Sequence, residues 1–171
     1  MQRYDENNAK CVVLTFKEGL LSPVAHDLRL LVQRFRIEVA DGAVTGSFDT
    51  ASLIVDCPMK DGVENPSALS AADKAKIAAQ IREEVLASVR FPQATFRSSS
   101  CAQRADGGYD VTGELTLHGV SRQLSARSEL VDGAQRLELT LHQPDFGITP
   151  FRAMLGTLKI RADVRVVITT A

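Results

Sequence analysis

The chain has no tryptophan, only two tyrosines, and three cysteines with no CxxC pair among them. An odd cysteine count without metal-ligand spacing argues against a disulfide framework or a zinc site, so Cys11, Cys57 and Cys101 read as small buried or half-buried side chains. No run of about eighteen apolar residues occurs, which excludes a spanning helix. The nearest candidate, Leu20 to Val39, is interrupted by His26, Asp27, Arg29, Arg34, Arg36 and Glu38. A net charge of -1 without any Lys/Arg cluster argues against a nucleic-acid partner and against a polybasic membrane anchor. The first ten residues, MQRYDENNAK, lack the apolar core of a signal peptide. A cytoplasmic location is therefore expected, or a periplasmic one if a leader has been removed.

Catalytic signatures are also missing. Ser98-Ser99-Ser100 has no GxSxG context, and the glycines at 107, 108, 113 and 119 do not lead into a helix as a phosphate-binding loop would. His26, His118 and His142 are scattered without metal-ligand spacing, so neither a metal nor another cofactor is expected. His26-Asp27 is the one pair that resembles a general-base arrangement, yet neighbours on an extended chain point to opposite faces.

What is present is β-rich. With 171 residues, 44% hydrophobic and 24% charged, the chain reads as one domain over residues 10–171, preceded by a polar segment, 1–9. The sharpest signal is a hairpin: strands Ala94 to Ala102 and Tyr109 to Leu117 around a Gly-containing connection. In the second strand Tyr109, Val111, Leu115 and Leu117 alternate with polar residues, giving one apolar face. Asp41-Gly42 and Asp132-Gly133 mark two further hairpins, and Leu137, Leu139 and Leu141 alternate after the second. Two long strands change phase. Leu28, Leu30 and Val32 have one parity and Phe35, Ile37 and Val39 the other, which places a bulge near Leu31 to Gln33; a second slip falls near Asp49 to Ser52.

Pro58 to Ser67 reads as loop, and Ser22 to Asp27 as a corner. A capping pair, Ser70 and Asp73, opens an amphipathic helix over about 71–89, with Ile77, Ile81, Val85 and Val89 on its buried face. The last segment alternates from Leu158 to Ile168 without a break. The sum predicts an all-β fold: a lipocalin-like, antiparallel up-and-down barrel of about eight strands with one helix.

FPQATFRSSS followed by YDVTGELTLHGVSRQLS resembles the signature of the YceI-like proteins, the bacterial polyisoprenoid-binding family with a lipocalin-like barrel. The FGI at Phe146 to Ile148 and the early SPVAHDLRLLVQRFRIEV fit the same family, so the resemblance runs from about Cys11 to Thr169. It implies an antiparallel barrel whose apolar interior accepts an isoprenoid-type or other amphiphilic chain, with a homodimer as its common assembly. Two departures stand against it: the leader peptide of periplasmic members is missing, and ASLIVDC followed by an Ala-rich helix replaces two motifs found in many members. The barrel thus carries over further than the isoprenoid does.

The expected function is binding, carriage or sequestration of an isoprenoid, quinone or other lipid-like small molecule. A ligand-free, self-associating barrel and, less readily, an isomerase- or cyclase-type barrel enzyme using His26-Asp27 are the competing readings. The residues expected to contact ligand are Phe16, Leu30, Phe35, Phe48, Phe96, Leu115, Phe146, Phe151, Met154 and Leu155, of which Phe151, Met154 and Leu155 form a cavity rim, lid or dimer contact.

Overall fold

A computed structural model describes residues 1–19 and 25–171. It contains fourteen strand segments: β1 Gln2–Asp5, β2 Ala9–Thr15, β3 Asp27–Val32, β4 Phe35–Ala40, β5 Ala43–Asp49, β6 Leu53–Lys60, β7 Val63–Glu64, β8 Gln93–Gln103, β9 Tyr109–Leu117, β10 Val120–Val131, β11 Ala134–His142, β12 Arg152–Ala153, β13 Leu158–Lys159 and β14 Asp163–Thr170. The helix α1 spans Ala71–Gln80. Twelve strands form one sheet, and β12 and β13 form a separate pair.

The ring closes because several segments are halves of longer staves. The stave β3–β4 is flanked on one side by β1 and β2 and on the other by β5 and β6. From β5 the wall continues through β8, β9, β10, β11 and β14 back to β2, each pair antiparallel. Eight staves in chain order make the up-and-down barrel, the size at which an interior is filled by side chains or holds one small ligand.

The phase slips are what keep this interior apolar. The β3–β4 stave breaks at Gln33-Arg34, and β5–β6 breaks at the single turn Thr50–Ser52. Each break absorbs one parity change, so Leu28, Leu30 and Val32 face inward together with Ile37 and Val39. Beyond Asp49 the β6 half leaves β8, and the gap is filled by α1. Ala78 packs with Leu28, Leu30, Leu53 and Val55, and Ile77 and Ile81 lie against them. The expected cap is present: the Ser70 hydroxyl accepts the Asp73 N–H at 3.0 Å, and the Asp73 carboxylate accepts the Ser70 N–H at 3.2 Å. Caps of this kind contribute about 1 kcal/mol.

Four expectations change. The helix does not run to 89: after Gln80 a π-helical turn, Ile81–Val85, adds a residue to the coil, and Leu86 donates to the Ile81 carbonyl. The extra residue turns Leu86 inward, and the helix then ends at Ala87, which has positive φ, so Val89 falls in the following turn and is 99% exposed. Pro58 to Ser67 is not all loop, since β6 continues to Lys60 and turns at Asp61-Gly62, both with positive φ, into β7. Pro58 is tolerated there because it follows a register shift in the β3–β6 ladder, near the outer end of its strand. The last segment is interrupted at Ile160–Ala162, between β13 and β14. The polar segment 1–9 supplies β1, which pairs with β4 from Gln2↔Val39 to Asp5↔Arg36. Of the corner expected at Ser22 to Asp27, residues 22–24 lie outside the described residues, and Asp27 already begins β3.

Candidate functional site

Inside the barrel lies a cavity of about 620 Å³, within the range of roughly 300–1,000 Å³ usual for small-ligand sites. Its middle is apolar, lined among others by Val13, Leu30, Val32, Phe48, Leu53, Phe96, Val111, Leu115, Leu139, Val164 and Val166. Polar side chains gather toward its ends. Gln2, Tyr4, Tyr109, Ser128, Gln135 and Thr170 lie at the end of the tight turns; Thr15, His26, Gln80 and Gln143 lie at the end carrying α1 and the long connections.

The cavity is hollow on one side. Three buried clusters hold the wall from β2 to β6, the helix and the crossing segment at 146–148, and also take in Leu124 of β10, Leu141 of β11 and Val166 and Ile168 of β14. Ala126, Leu137, Leu139 and Val164 also face inward but belong to none of these clusters and are only half-buried. Inward residues of a filled eight-stave barrel would be fully covered by the opposite wall. Here they border open space. The outward positions of β8, β9, β10, β11 and β14 carry Arg97, Glu114, Arg127, Arg136, Glu138 and Arg165, the inverse of a barrel that sits in lipid.

A hydrogen-bond network pins the rim at the tight-turn end. The Arg104 guanidinium donates to the Ser128 carbonyl at 2.8 Å, the Tyr109 carbonyl at 3.1 Å and Asp110 at 3.1 Å. The Ser128 hydroxyl donates to Gln135 Oε1 at 2.7 Å and accepts the Tyr109 N–H at 2.9 Å, while Gln135 Nε2 reaches the Gly107 carbonyl at 2.9 Å. Gly108 is needed here for close approach, because a Cβ would lie 2.3 Å from the Ser128 carbonyl oxygen. The backbone N–H of Gly108 and then Arg104 hold the Asp106 carboxyl below the usual carboxylate range. Arg127 does the same first for Asp110, followed by Arg104.

Of the ten expected ligand contacts, Leu30, Phe48, Phe96, Leu115, Phe146 and Phe151 line the cavity. Phe35 does not line it; it is buried in the wall beside Phe48, with ring centroids 6.0 Å apart. Phe16 lies outside, because its neighbour Thr15 takes the inward position and alternation turns Phe16 to the surface, where the Arg165 guanidinium sits 5.6 Å from its ring. Met154 and Leu155 are displaced to the tip of the β12–β13 turn, the first 62% exposed and the second fully so. The alternation did not single out the most open part of the site, the β10–β11–β14 wall, since an inward Leu facing void and one facing a packed core produce the same sequence pattern.

The thiols follow the same geometry. Cys11 and Cys101 line the cavity, and Cys57 is buried. Burial pushes the Cys11 thiol up to about 12. His26 also lines the cavity, but Asp27 does not join it: its carboxylate accepts the Lys17 N–H at 2.8 Å. His118 sits in the β9–β10 turn against the Phe91 ring, 4.5 Å between centroids, and His142 is exposed beside Asp163. Among the described residues no cluster of three His, Cys, Asp or Glu could hold a metal, and no helix is long and apolar enough to cross a membrane.

A sequence profile of the YceI-like domain matches residues 22–171. A UPF0312 protein of Vibrio parahaemolyticus is 40% identical over 42 residues, 25% of this chain and 22% of that one. A UPF0312 protein of Vibrio vulnificus is 41% identical over 46 residues, 27% and 24% respectively. The chain thus aligns with about a quarter of the length of these curated relatives. Among solved structures, BcnA of Burkholderia cenocepacia superposes with a TM-score of 0.66 at 16% identity over 96% of both chains. A polyisoprenoid binding domain from Saccharophagus degradans gives 0.59 at 12% identity, over 95% of this chain and 94% of that one. The YceI protein of Campylobacter jejuni gives 0.55 at 15% identity, over 91% and 87%. At these identities the structural likeness is one of fold; with the profile spanning 22–171, the chain belongs to the YceI-like family.

Proposed function

We propose that this protein binds and carries an apolar, chain-like amphiphile, of the isoprenoid, quinone or fatty-chain class, inside the barrel. The observation that carries the proposal is the open space beside Ala126, Leu137, Leu139 and Val164 within an otherwise closed apolar barrel. A ligand there supplies the contacts that the opposite wall does not, and the polar residues at the two ends suit an amphiphile better than a pure hydrocarbon. The solved polyisoprenoid binding domain of the same fold supports an isoprenoid-type chain.

Native mass spectrometry of gently purified protein, followed by organic extraction, tests the reading. The expected result is one amphiphile bound per cavity, lost on extraction and regained from a prenol, quinone or fatty-acid series. A protein that binds none of these probes refutes it. The enzyme reading needs His26 and Asp27 in one pocket, and their side chains diverge.

A further inference from the structure

The flap formed by β12 and β13 is not part of the barrel wall. It is hung on the barrel at its base, where the Ile160 N–H reaches the Phe151 carbonyl at 3.1 Å, the Glu18 N–H reaches Lys159 at 2.9 Å, and Arg161 donates its N–H to the Phe16 carbonyl at 2.8 Å. Its two faces differ. Leu158 lines the cavity, as do Phe151 and Ile160 at the base. Arg152 and Lys159 are directly paired across the β12–β13 ladder, so they share the face opposite Leu158. Like charges placed opposite one another destabilise a ladder unless an anion comes between them. From Phe146 to Ala162 the charged residues are Arg152, Lys159 and Arg161, and the carboxylate residue that the backbone pairing brings beside Lys159 is Glu18. Among the described residues none of the three is in an ion pair.

The tip adds a second unusual feature. Met154 and Leu155 are exposed, and both hold left-handed backbone, φ 55 and 57. A turn needing that conformation is ordinarily served by Gly or Asn, so two large apolar residues there are unfavourable in water on two counts. An apolar tip, a cationic face and a base that lines the cavity meet the requirements of an interfacial anchor: side chains that enter the acyl boundary, and cations level with lipid phosphates.

We propose that the β12–β13 flap docks this protein on an anionic lipid bilayer, with Met154 and Leu155 inserted and Arg152 and Lys159 on the phosphates. Docking places the Phe151–Ile160 end of the cavity against the membrane, where an apolar chain passes between bilayer and barrel without crossing water. The docking rests on the flap alone; the carrier reading explains its use, and vesicle binding is scored without ligand, so the two fail separately.

The test is flotation of the full-length chain with vesicles of phosphatidylcholine alone and of phosphatidylcholine mixed with phosphatidylglycerol. Binding is expected on the mixed vesicles, weakened by salt. Replacing Arg152 and Lys159 by Gln should lower it by roughly fivefold for each charge removed. Leu155→Asp should lower it at least as far, and Val131→Asp, at an exposed site by the Asp132-Gly133 turn, should leave it unchanged. Asp tolerates the left-handed region, so Leu155→Asp keeps the fold, which circular dichroism verifies. Absence of binding to mixed vesicles, or equal binding by wild type and Leu155→Asp, overturns the proposal. A change in the mass of Leu155→Asp by light scattering without lipid also overturns it, in favour of a contact between copies of the chain.

Discussion

Replacing Ala126 by tryptophan distinguishes a hollow barrel from a filled one. Ala126 faces inward on β10 beside Val111 of β9, half-buried at the edge of the open space. In a packed interior the added ring would displace its neighbours and cost about 1–3 kcal/mol. In a cavity of about 620 Å³ the ring has room. An aromatic side chain buries on the order of 150–250 Å², which at roughly 25 cal/mol per Å² is about 4–6 kcal/mol gross. A ring touching only one wall keeps about half of that, and ordering it costs about 1 kcal/mol, leaving about 1–2 kcal/mol of net stabilisation. The chain contains no other tryptophan, so the variant reports on itself. Its emission should be blue-shifted and resist acrylamide quenching, while urea unfolding followed by circular dichroism moves to a higher midpoint. Uptake of an apolar probe such as N-phenyl-1-naphthylamine, expected for the wild type, should be lost. A lowered midpoint, or equal probe uptake by both proteins, would refute the argument that this wall borders free space.

Further outcomes follow from other parts of the barrel. Cys11, pushed up to about 12 in the fold, ionises near 8.5 once unfolded; its contribution is complete below that lower value and is lost as pH rises toward the higher one. By about pH 10 the loss is about 2 kcal/mol, so urea midpoints from pH 7 to pH 10 should fall more steeply in wild type than in Cys11→Ala; parallel curves would rule the effect out. Asp106 and Asp110, held below the usual carboxylate range, stabilise the fold above about pH 4 and cease to as pH falls further, and Arg104→Gln should flatten that acid limb in the same assay. Leu30→Ala, at a position 1% exposed, should cost about 2–5 kcal/mol, read as a lowered urea midpoint. Gly108→Ala, whose Cβ would meet the Ser128 carbonyl oxygen, should cost about 1–3 kcal/mol and loosen the rim, visible as faster amide exchange at Tyr109; unchanged exchange would remove the rim network from the account.

How much of this was legible depends on which physical signal each feature leaves in the sequence. The turns at Asp41-Gly42 and Asp132-Gly133 are written in residue chemistry, and all four residues have positive φ as such hairpins require. The same backbone at His118-Gly119, which turns β9 into β10, has no comparable signal, because His is a less usual occupant of the first position. Both phase slips were visible because parity is a local property of a strand. The end of the helix was not: the Ile77, Ile81, Val85, Val89 spacing assumes a regular coil, whereas a π turn and then the positive φ of Ala87 end the helix and leave Val89 in solvent. Of the expected site residues, Phe48 and Phe96 project from their strands into the cavity, whereas Phe16 has the parity opposite to Cys11, Val13 and Thr15 and turns outward. Alternation reports which face a side chain occupies; it carries no information on the distance to the opposite wall.

That distance explains how a barrel with an open interior remains folded. The apolar burial is concentrated where the chain is irregular: Leu28, Leu30, Leu53 and Val55 close on α1, and Phe146 and Ile148 close on Leu115. On the β10–β11–β14 wall Leu124, Leu141, Val166 and Ile168 pack against the buried clusters, and outward charge pairs such as Arg136–Glu138, Arg165–Glu138 and Arg127–Asp110 add little each at exposed positions. Stability and vacancy are thus assigned to different positions of that wall, where Ala126, Leu137, Leu139 and Val164 belong to none of the clusters. A ligand filling the vacancy would meet those four side chains, so the contacts it gains would not require a well-packed cluster to open. The proposed exchange of an apolar chain is therefore compatible with a barrel that the β2–β6 side and the helix keep closed.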